Sequence, residues 1–464
     1  MAASLTRHAA ARRRLAAESG AIVKDWGGRL PIALAYPNTY AIGLASLGFQ
    51  AVYGLLNAYP DVVCERVFLD AAVAGDSGGG EWIDGPIHGG RSAGSAMPIS
   101  TESQRDLMDF PVVAFTLSFE LDYFNVVRVL RDAGIPPLAT DRGPEHPLVL
   151  AGGPVLSANP EPVAPTFDAV LLGEAEPILP ALIETLRNGV GEDRDRLLDA
   201  LARLPGVYVP TRHLPPDEGG PNPNRPERRY LEDVDSVQTA TTILARGTAL
   251  EDLYLLEIAR GCGRACRFCM IGYVYRPVRA RSVEGLLAQA AIGLRHRRRI
   301  GLVSPSTGDH PEIDELATRL VDLGAEISTG SLRVRPISPT LVRAIAASGT
   351  RTVTLAPEAG TDRLRAAIRK GATDDDVYRA VDLVADTGIA KLKLYFMVGL
   401  PTETDEDIDG LIALVGGLKD RLDRRRSGTG LSVTVSSFVP KAATAFQWEP
   451  MQPPAVLEGR IARI

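Results

Sequence analysis

Cysteine is scarce in this sequence: four occur in 464 residues, and three of them fall within positions 262–269. A secreted disulfide framework spreads its cysteines in pairs along a short chain, so that class is excluded and the reducing cytoplasm is the expected location. Long apolar runs are missing as well. None approaches the roughly 18 residues that span a bilayer, so no membrane helix and no membrane partner are expected. Positive charge is not in excess, with Lys plus Arg at 51 against Asp plus Glu at 57 and a net charge of −6. That balance excludes a basic nucleic-acid coat protein but leaves room for a local basic groove. Solenoid repeats and heptads are absent. Aromatics are only 6%, whereas 45 Gly and 34 Pro supply turns generously.

What is present is enough chain for about three domains of roughly 150 residues each. Residues 1–29 form an Ala/Arg-rich leader without the apolar middle of a secretory signal, and they read as a solvated leading helix. Short apolar runs at 31–36, 62–69, 111–117, 147–151 and 167–172 then alternate with helical stretches. Fully apolar strands separated by helices predict a parallel, doubly wound sheet over residues 30–205. The Gly/Ser-rich stretch 71–100 is expected to be a surface insertion. Residues 206–245 have linker composition, rich in Pro, Gly and charge. A second alternating series fills 246–464, with strands near 254–258, 300–303, 326–329, 352–356, 391–396 and 432–437. Six such units suffice for a partial parallel barrel, whose chemistry sits in the loops after the strands.

The first strand of that series runs into Cys262, Cys266 and Cys269, spaced C-x3-C-x2-C. Three thiolates on one loop suit a soft metal centre. A structural zinc ion normally needs a fourth protein ligand nearby, and neither His296 nor His310 has ligand-like spacing. A 4Fe–4S cluster takes one thiolate per iron, so three would leave one iron open. The bland alternative is three buried cysteines acting as small hydrophobes.

The spacing, with Phe268 as the aromatic before the last cysteine, resembles the signature of the radical S-adenosylmethionine (radical SAM) superfamily. The resemblance implies a partial (β/α)6 barrel, a 4Fe–4S cluster on Cys262, Cys266 and Cys269, and S-adenosylmethionine chelated at the open iron. Reductive cleavage to a 5′-deoxyadenosyl radical and a reductant such as flavodoxin or ferredoxin are implied with it. Further stretches fit the same barrel. Ser304, Ser306, Thr307 and Asp309 stand where the family has Gly-Gly-Glu, which binds the methionine amino group. Arg333 and Arg335 are placed to pair with the carboxylate. Glu358 matches the position facing the ribose or amino group. Gly399 and Pro401 resemble the stretch near the adenine, with Thr402 replacing a glycine.

The N-terminal series resembles the Rossmann-like, cobalamin-binding domain that precedes the barrel in one subfamily. The resemblance rests on Asn38 and Thr39, Ser118 and Glu120, Gly152 and Gly153, and Gly173 and Glu174, all expected at strand ends where a macrocycle approaches. The Asp-x-His-x-x-Gly cobalt-ligand motif is missing: none of the six histidines has Asp two residues before it. Over about residues 25–455 the chain is similar to a group of cobalamin-domain radical SAM proteins, through stretches such as 36–40, 275–279 and 438–441. Members of that group continue further, so a C-terminal substrate module is expected to be absent or separately encoded. Methylthiotransferases resemble the barrel too, but they carry three N-terminal cysteines where this chain has Cys64 alone.

The expectation is therefore a radical SAM enzyme, a cobalamin-dependent methyltransferase. The alternatives are a cobalamin-independent rearrangement or cyclisation enzyme, or a non-catalytic iron–sulfur module associated with RNA. The basic run 295–299 reads as solvated charge at a helix C-terminus. Tyr273, Tyr275, Arg276, Arg279 and Arg281 follow the cysteine loop and are candidates for the substrate mouth.

Overall fold

The computed structural model describes residues 2–69, 97–213, 224–248 and 250–464. The chain forms two units, one of residues 1–231 with 241–251 and one of residues 232–240 with 252–464. Among the described residues no helix is long and apolar enough to cross a membrane.

The first unit is built on six strands: β1 (Leu30–Thr39), β2 (Val62–Leu69), β3 (Val112–Thr116), β4 (Leu148–Gly152), β5 (Ala169–Leu171) and β6 (Val207–Tyr208). Their order is β2-β1-β3-β4-β5-β6, parallel except for β6. The apolar runs become strands because helices cover the sheet and bury both faces. The chain begins with helices α1 (Ala2–Ala16), α2 (Tyr40–Gly43), α3 (Leu47–Ala58) and α4 (Asp122–Asp132). Helices α5 (Pro154–Ala158), α6 (Leu179–Gly189) and α7 (Arg194–Ala202) complete the unit. β1 continues to β2 on one side and pairs with β3 on the other, so the strand order reverses between β1 and β3. In doubly wound folds that crevice, at the carboxyl ends of the strands, is where ligands bind.

Three sequence expectations need adjustment. The leading helix forms, but Ala11 is buried, and just beyond α1 the Glu18 carboxylate pairs with buried Arg66 at 2.6 Å. An isolated buried guanidinium demands a counter-charge, which draws the leader onto the domain. Residues 71–96 of the expected insertion lie outside the described residues. Its final residues do not form a surface loop: Ile99 and Ser100 are buried, and Ser100 bridges Val67. Within 206–245, β6 closes the sheet and Ile243 joins the core, with Gln50 Oε1 accepting the Thr242 and Ile243 amides at 2.9 Å.

In the second unit, β7 (Leu253–Glu257) runs into β8 (Ala259–Arg260), and β9 (Arg279–Ala280) pairs antiparallel with β8. The remaining strands are β10 (Arg299–Val303), β11 (Glu326–Thr329), β12 (Thr352–Glu358), β13 (Lys391–Val398) and β14 (Gly430–Ser437). β7, β10 and β11 pair in parallel, as do β12, β13 and β14, and a parallel bridge from Leu332 to Leu355 joins the two groups. Six parallel strands thus follow one another in sequence order. The connecting helices are α8 (Ile271–Val274), α9 (Val283–Gly293), α10 (Ile313–Asp322), α11 (Pro339–Ala347), α12 (Asp362–Ala367), α13 (Asp374–Asp386) and α14 (Asp405–Arg424). α15 (Pro454–Arg463) follows β14 and inserts Leu457 beside Val398 and Ile408.

The start of α14 carries a testable pH effect. Thr404 and Asp407 form a reciprocal capping box, and Asp407 also accepts from Thr361 and Arg363. Burial raises the Asp407 carboxyl, but the Thr361 hydroxyl, Thr404 amide and Arg363 guanidinium outweigh it and hold the pKa below the usual value. A depressed folded pKa contributes stability above the unfolded value of about 3.9 and loses it as pH falls through the folded pKa. Asp407→Asn is therefore expected to cost about 0.5–2 kcal/mol at pH 7. In urea melts that deficit should shrink as the pH is lowered below about 4.

Candidate functional site

The cysteine loop leaves the barrel at the carboxyl end of β7 and is pinned at its base. β8 and β9 pair Ala259 with Ala280 and Arg260 with Arg279 on either side of residues 261–278. Gly261 has φ +80, and a Cβ there would lie 2.2 Å from the Tyr275 carbonyl, so glycine lets the two arms of the loop close together. Cys266 is buried, while Cys262 and Cys269 are half-buried. Burial pushes the Cys269 thiol up, and the neighbouring Cys266 and Cys262 push it the same way. Against these, the amides of Ile271 and Gly272 at the start of α8 hydrogen-bond to it and favour the thiolate.

Among the described residues, no three His, Cys, Asp or Glu side chains close around a single point. A zinc ion would draw its sulfurs to about 2.3 Å from one centre. A cluster takes one thiolate per iron and lets the sulfurs stand further apart. Three soft thiol donors on one loop match the one thiolate per iron that such a cluster takes.

The other barrel residues singled out from sequence follow successive strands, and their surroundings differ. Arg264 of the cysteine loop donates to Asp309 after β10, with Nε to Oδ2 at 2.9 Å. Burial raises the Asp309 carboxyl, but the Arg264 guanidinium, the Ser306 hydroxyl and the charge of Arg333 together outweigh it and hold the pKa low. Asp309 is thus occupied in holding the loop. Ser304 is half-buried and its hydroxyl accepts the Ser306 amide at 3.2 Å, and buried Thr307 shares a hydrogen bond with the Thr329 hydroxyl at 2.8 Å. Arg333 donates to the carbonyls of Arg335 and Lys370 at 3.1 and 2.9 Å. Arg335 is exposed and pairs with Asp376 at 3.5 Å. Glu358, at φ +71, binds Lys370 at 2.9 Å. Arg264, Arg333, Arg369 and Lys370 line a cationic cleft of about 330 Å³. Phe268 packs against a core that includes Ile368, Leu400 and Phe446. Gly399 has φ +80 and lies buried, and a Cβ on it would meet Leu457 at 2.6 Å. Its close approach is to a side chain of α15. Pro401 is half-buried in the turn that follows. Of the proposed mouth residues, Arg281 is buried and bonded to Glu257, Thr239 and backbone carbonyls. Arg279 is also buried.

In the first unit, the residues read as a macrocycle site all lie at the carboxyl edge of the sheet, yet they divide into two sets. Asn38 and Thr39 end β1 and are half-buried, as are Ser118 and Glu120 after β3 and Gly152 at the end of β4. The Ser118 hydroxyl bonds to Tyr36, and Asn38 Nδ2 reaches Asp122 at 3.4 Å. In the second set, the space or polar atoms serve internal contacts. A Cβ on Gly153 would lie 2.1 Å from the Leu117 carbonyl, and one on Gly173 would lie 1.9 Å from that of Arg229. Buried Glu174 accepts the Leu231 amide at 2.9 Å.

Two features of this edge escape sequence reading. Ile42, Phe119, Leu121 and Phe124 are 47–61% exposed on the loops and helices that follow β1 and β3. Asp122 is buried, its Oδ2 has no hydrogen-bond partner, and burial raises its pKa. An orphaned buried polar atom calls for an explanation. Exposed apolar residues in S-F-E-L-D-Y-F look like core residues until their strands are placed. Cys64, by contrast, is fully buried, and its amide bonds to Asn57.

Comparison with known proteins agrees with this architecture. Residues 89–210 match the family described as radical SAM proteins, N-terminal, and residues 256–415 match the radical SAM superfamily. Over 423 residues the chain is 30% identical to the uncharacterized protein MJ0966 of Methanocaldococcus jannaschii, covering 90% of this chain and 79% of that one. The ribosomal protein uS12 methylthiotransferase RimO of Acaryochloris marina is 26% identical over 258 residues, 52% of this chain and 53% of that one. Among solved structures, the methyltransferase TsrM of Kitasatospora setae with cobalamin and a [4Fe-4S] cluster bound superposes with a TM-score of 0.59. That match has 15% identity and covers 91% of this chain and 74% of TsrM. The cobalamin-dependent enzyme OxsB, with aqua-cobalamin and S-adenosylmethionine bound, gives 0.58 at 14% identity, covering 94% of this chain and 62% of OxsB. At such identities the likeness is one of fold.

Proposed function

The chain belongs to the radical SAM superfamily, and we propose that within it this protein is a cobalamin-dependent methyltransferase. The observation that carries the first half is the loop of three cysteines, pinned by β8 and β9 at the carboxyl end of the first barrel strand. Cys262, Cys266 and Cys269 would hold a 4Fe–4S cluster, which supplies the electron for reductive cleavage of S-adenosylmethionine. The chain's own residues do the rest. The Ile271 and Gly272 amides favour the thiolate at Cys269, and the Arg264–Asp309 pair ties the loop to the end of β10. With Asp309 occupied, the hydroxyls of Ser304, Ser306 and Thr307 are the groups after β10 offered to the methionine amino group. Arg333, oriented by two carbonyls, is the cation for the carboxylate, since Arg335 points its charge to Asp376. Glu358, held by Lys370, is the acceptor for the ribose.

Cobalamin is supported by the β1/β3 switch point and by the bound cobalamin of the structural relatives TsrM and OxsB. Asn38, Thr39, Ser118, Glu120 and Gly152 would meet it, with Ile42, Phe119, Leu121 and Phe124 offering apolar surface. The test is anaerobic reconstitution with iron, sulfide and hydroxocobalamin. The reduced protein is expected to convert S-adenosylmethionine to 5′-deoxyadenosine and to retain base-off cobalamin, its Co(II) EPR lines free of nitrogen splitting. Phe119→Asp should reduce cobalamin retention on gel filtration by roughly 10–100-fold, the equivalent of one buried aromatic side chain. If wild-type protein cleaves S-adenosylmethionine but elutes without cobalamin, methyl transfer from cobalamin is ruled out and a cobalamin-independent reaction takes its place.

A further inference from the structure

The chain is acidic overall, but the cysteine loop is not. Between Glu257 and Glu284 it holds six arginines and no acidic residue. Arg260, Arg279 and Arg281 are buried, which leaves Arg264, Arg267 and Arg276 at the surface. The loop 366–371 adds to them. The Arg267 amide donates to the Ile368 carbonyl at 3.1 Å, and its guanidinium donates to that of Ala367 at 3.0 Å. These bonds bring exposed Arg369 beside the cysteines, facing the cleft shared with Arg264, Arg333 and Lys370. Asp309 balances Arg264 and Glu358 balances Lys370. Among the described residues Arg267 donates to a carbonyl and lies over the Phe446 ring, so its charge, with that of exposed Arg369, is left over at this face. The loop also comes to the surface here, with Gly263 exposed and Cys262 half-buried.

We propose that the face bearing Arg267 and Arg369 is the docking surface for an acidic one-electron carrier protein. The proposal rests on the radical SAM reading, which requires one electron from outside for each cleavage. The transfer oxidises the carrier by one electron and reduces the cluster by one; no bond is made or broken. A chain of net charge −6 repels an acidic carrier elsewhere and attracts it at this patch, which steers association. A nucleic-acid backbone fits less well, because it needs a continuous basic track. The other basic run, 295–299, leads into the start of β10 and so lies at the opposite end of the barrel strands from the cysteine loop.

The experiment uses reconstituted protein and a purified flavodoxin as the probe. Affinity is measured at low and high salt, and cluster reduction by flavodoxin hydroquinone is followed by stopped flow, with dithionite as the control. The Arg267→Glu, Arg369→Glu double variant is expected to lose at least about 10-fold in both affinity and rate at low salt. The gap should close at high salt, with dithionite reduction unchanged. Arg369→Glu alone, whose side chain is exposed, should show part of the same loss and guards against a disturbed loop. Equal affinity and rate in wild type and variants overturn the proposal. So does a variant that keeps flavodoxin binding but loses binding of unfractionated tRNA, which would give the face to nucleic acid. The affinity titration does not depend on turnover. Failure of the radical SAM reading would appear separately, as wild-type protein without iron.

Discussion

Replacing any one of Cys262, Cys266 and Cys269 by alanine is expected to reduce both bound iron–sulfide and 5′-deoxyadenosine formation to background. Loss of an outer-shell partner costs a metal site roughly 10–100-fold. Removing one of three direct donors should exceed that, because each thiolate holds its own iron. Cys64→Ala is the informative contrast. That thiol is fully buried in the first unit, and burial holds its pKa well above the ordinary value. Its removal should leave the iron content unchanged and cost only stability. Iron and sulfide analysis with the EPR spectrum of the reduced protein checks both. A Cys266→Ala protein with a full cluster would sink the assignment.

The second large effect is on folding of the first unit. The Arg66 side chain is completely buried and bonds to Glu18 and Glu102, each at 2.6 Å. Glu102 also accepts the Arg66 amide at 2.7 Å, and the Tyr40 hydroxyl donates to Glu18 at 2.7 Å. Burial keeps the Glu102 pKa above the usual carboxylate value even beside the guanidinium. Breaking a buried ion pair by removing one partner strands the other charge and costs about 3–5 kcal/mol. Arg66→Met strands two carboxylates. A loss of that size corresponds to a fall of roughly 6–20 °C at about 2–4 °C per kcal/mol. Calorimetry of the first unit's transition would show it. A shift below about 2 °C would mean that the leader carrying Glu18 does not stay docked.

Much of this architecture was legible in residue order because it is local. Strands buried on both faces must be apolar throughout, so the runs 31–36 and 147–151 announce themselves and recur in β1 and β4. The same holds for three cysteines on one loop, whose spacing alone brings their sulfurs near each other. The glycines were legible only in part. Gly153 and Gly173 read as room for an approaching macrocycle, whereas the atoms lying close to them are the carbonyls of Leu117 and Arg229. A positive φ shows that something lies close, and it does not identify what.

By itself, then, the sequence determined the alternation of strands and helices, the cysteine loop and the family, all carried by short-range period and spacing. Only the tertiary structure decided the partners. Arg264 meets Asp309 across 45 positions, Arg66 meets Glu18 across 48, and Phe119 and Phe124 are left exposed at a strand-order reversal. Such contacts depend on which strands lie side by side. Charge and apolarity are properties of a residue, whereas burial and pairing are properties of the packed chain.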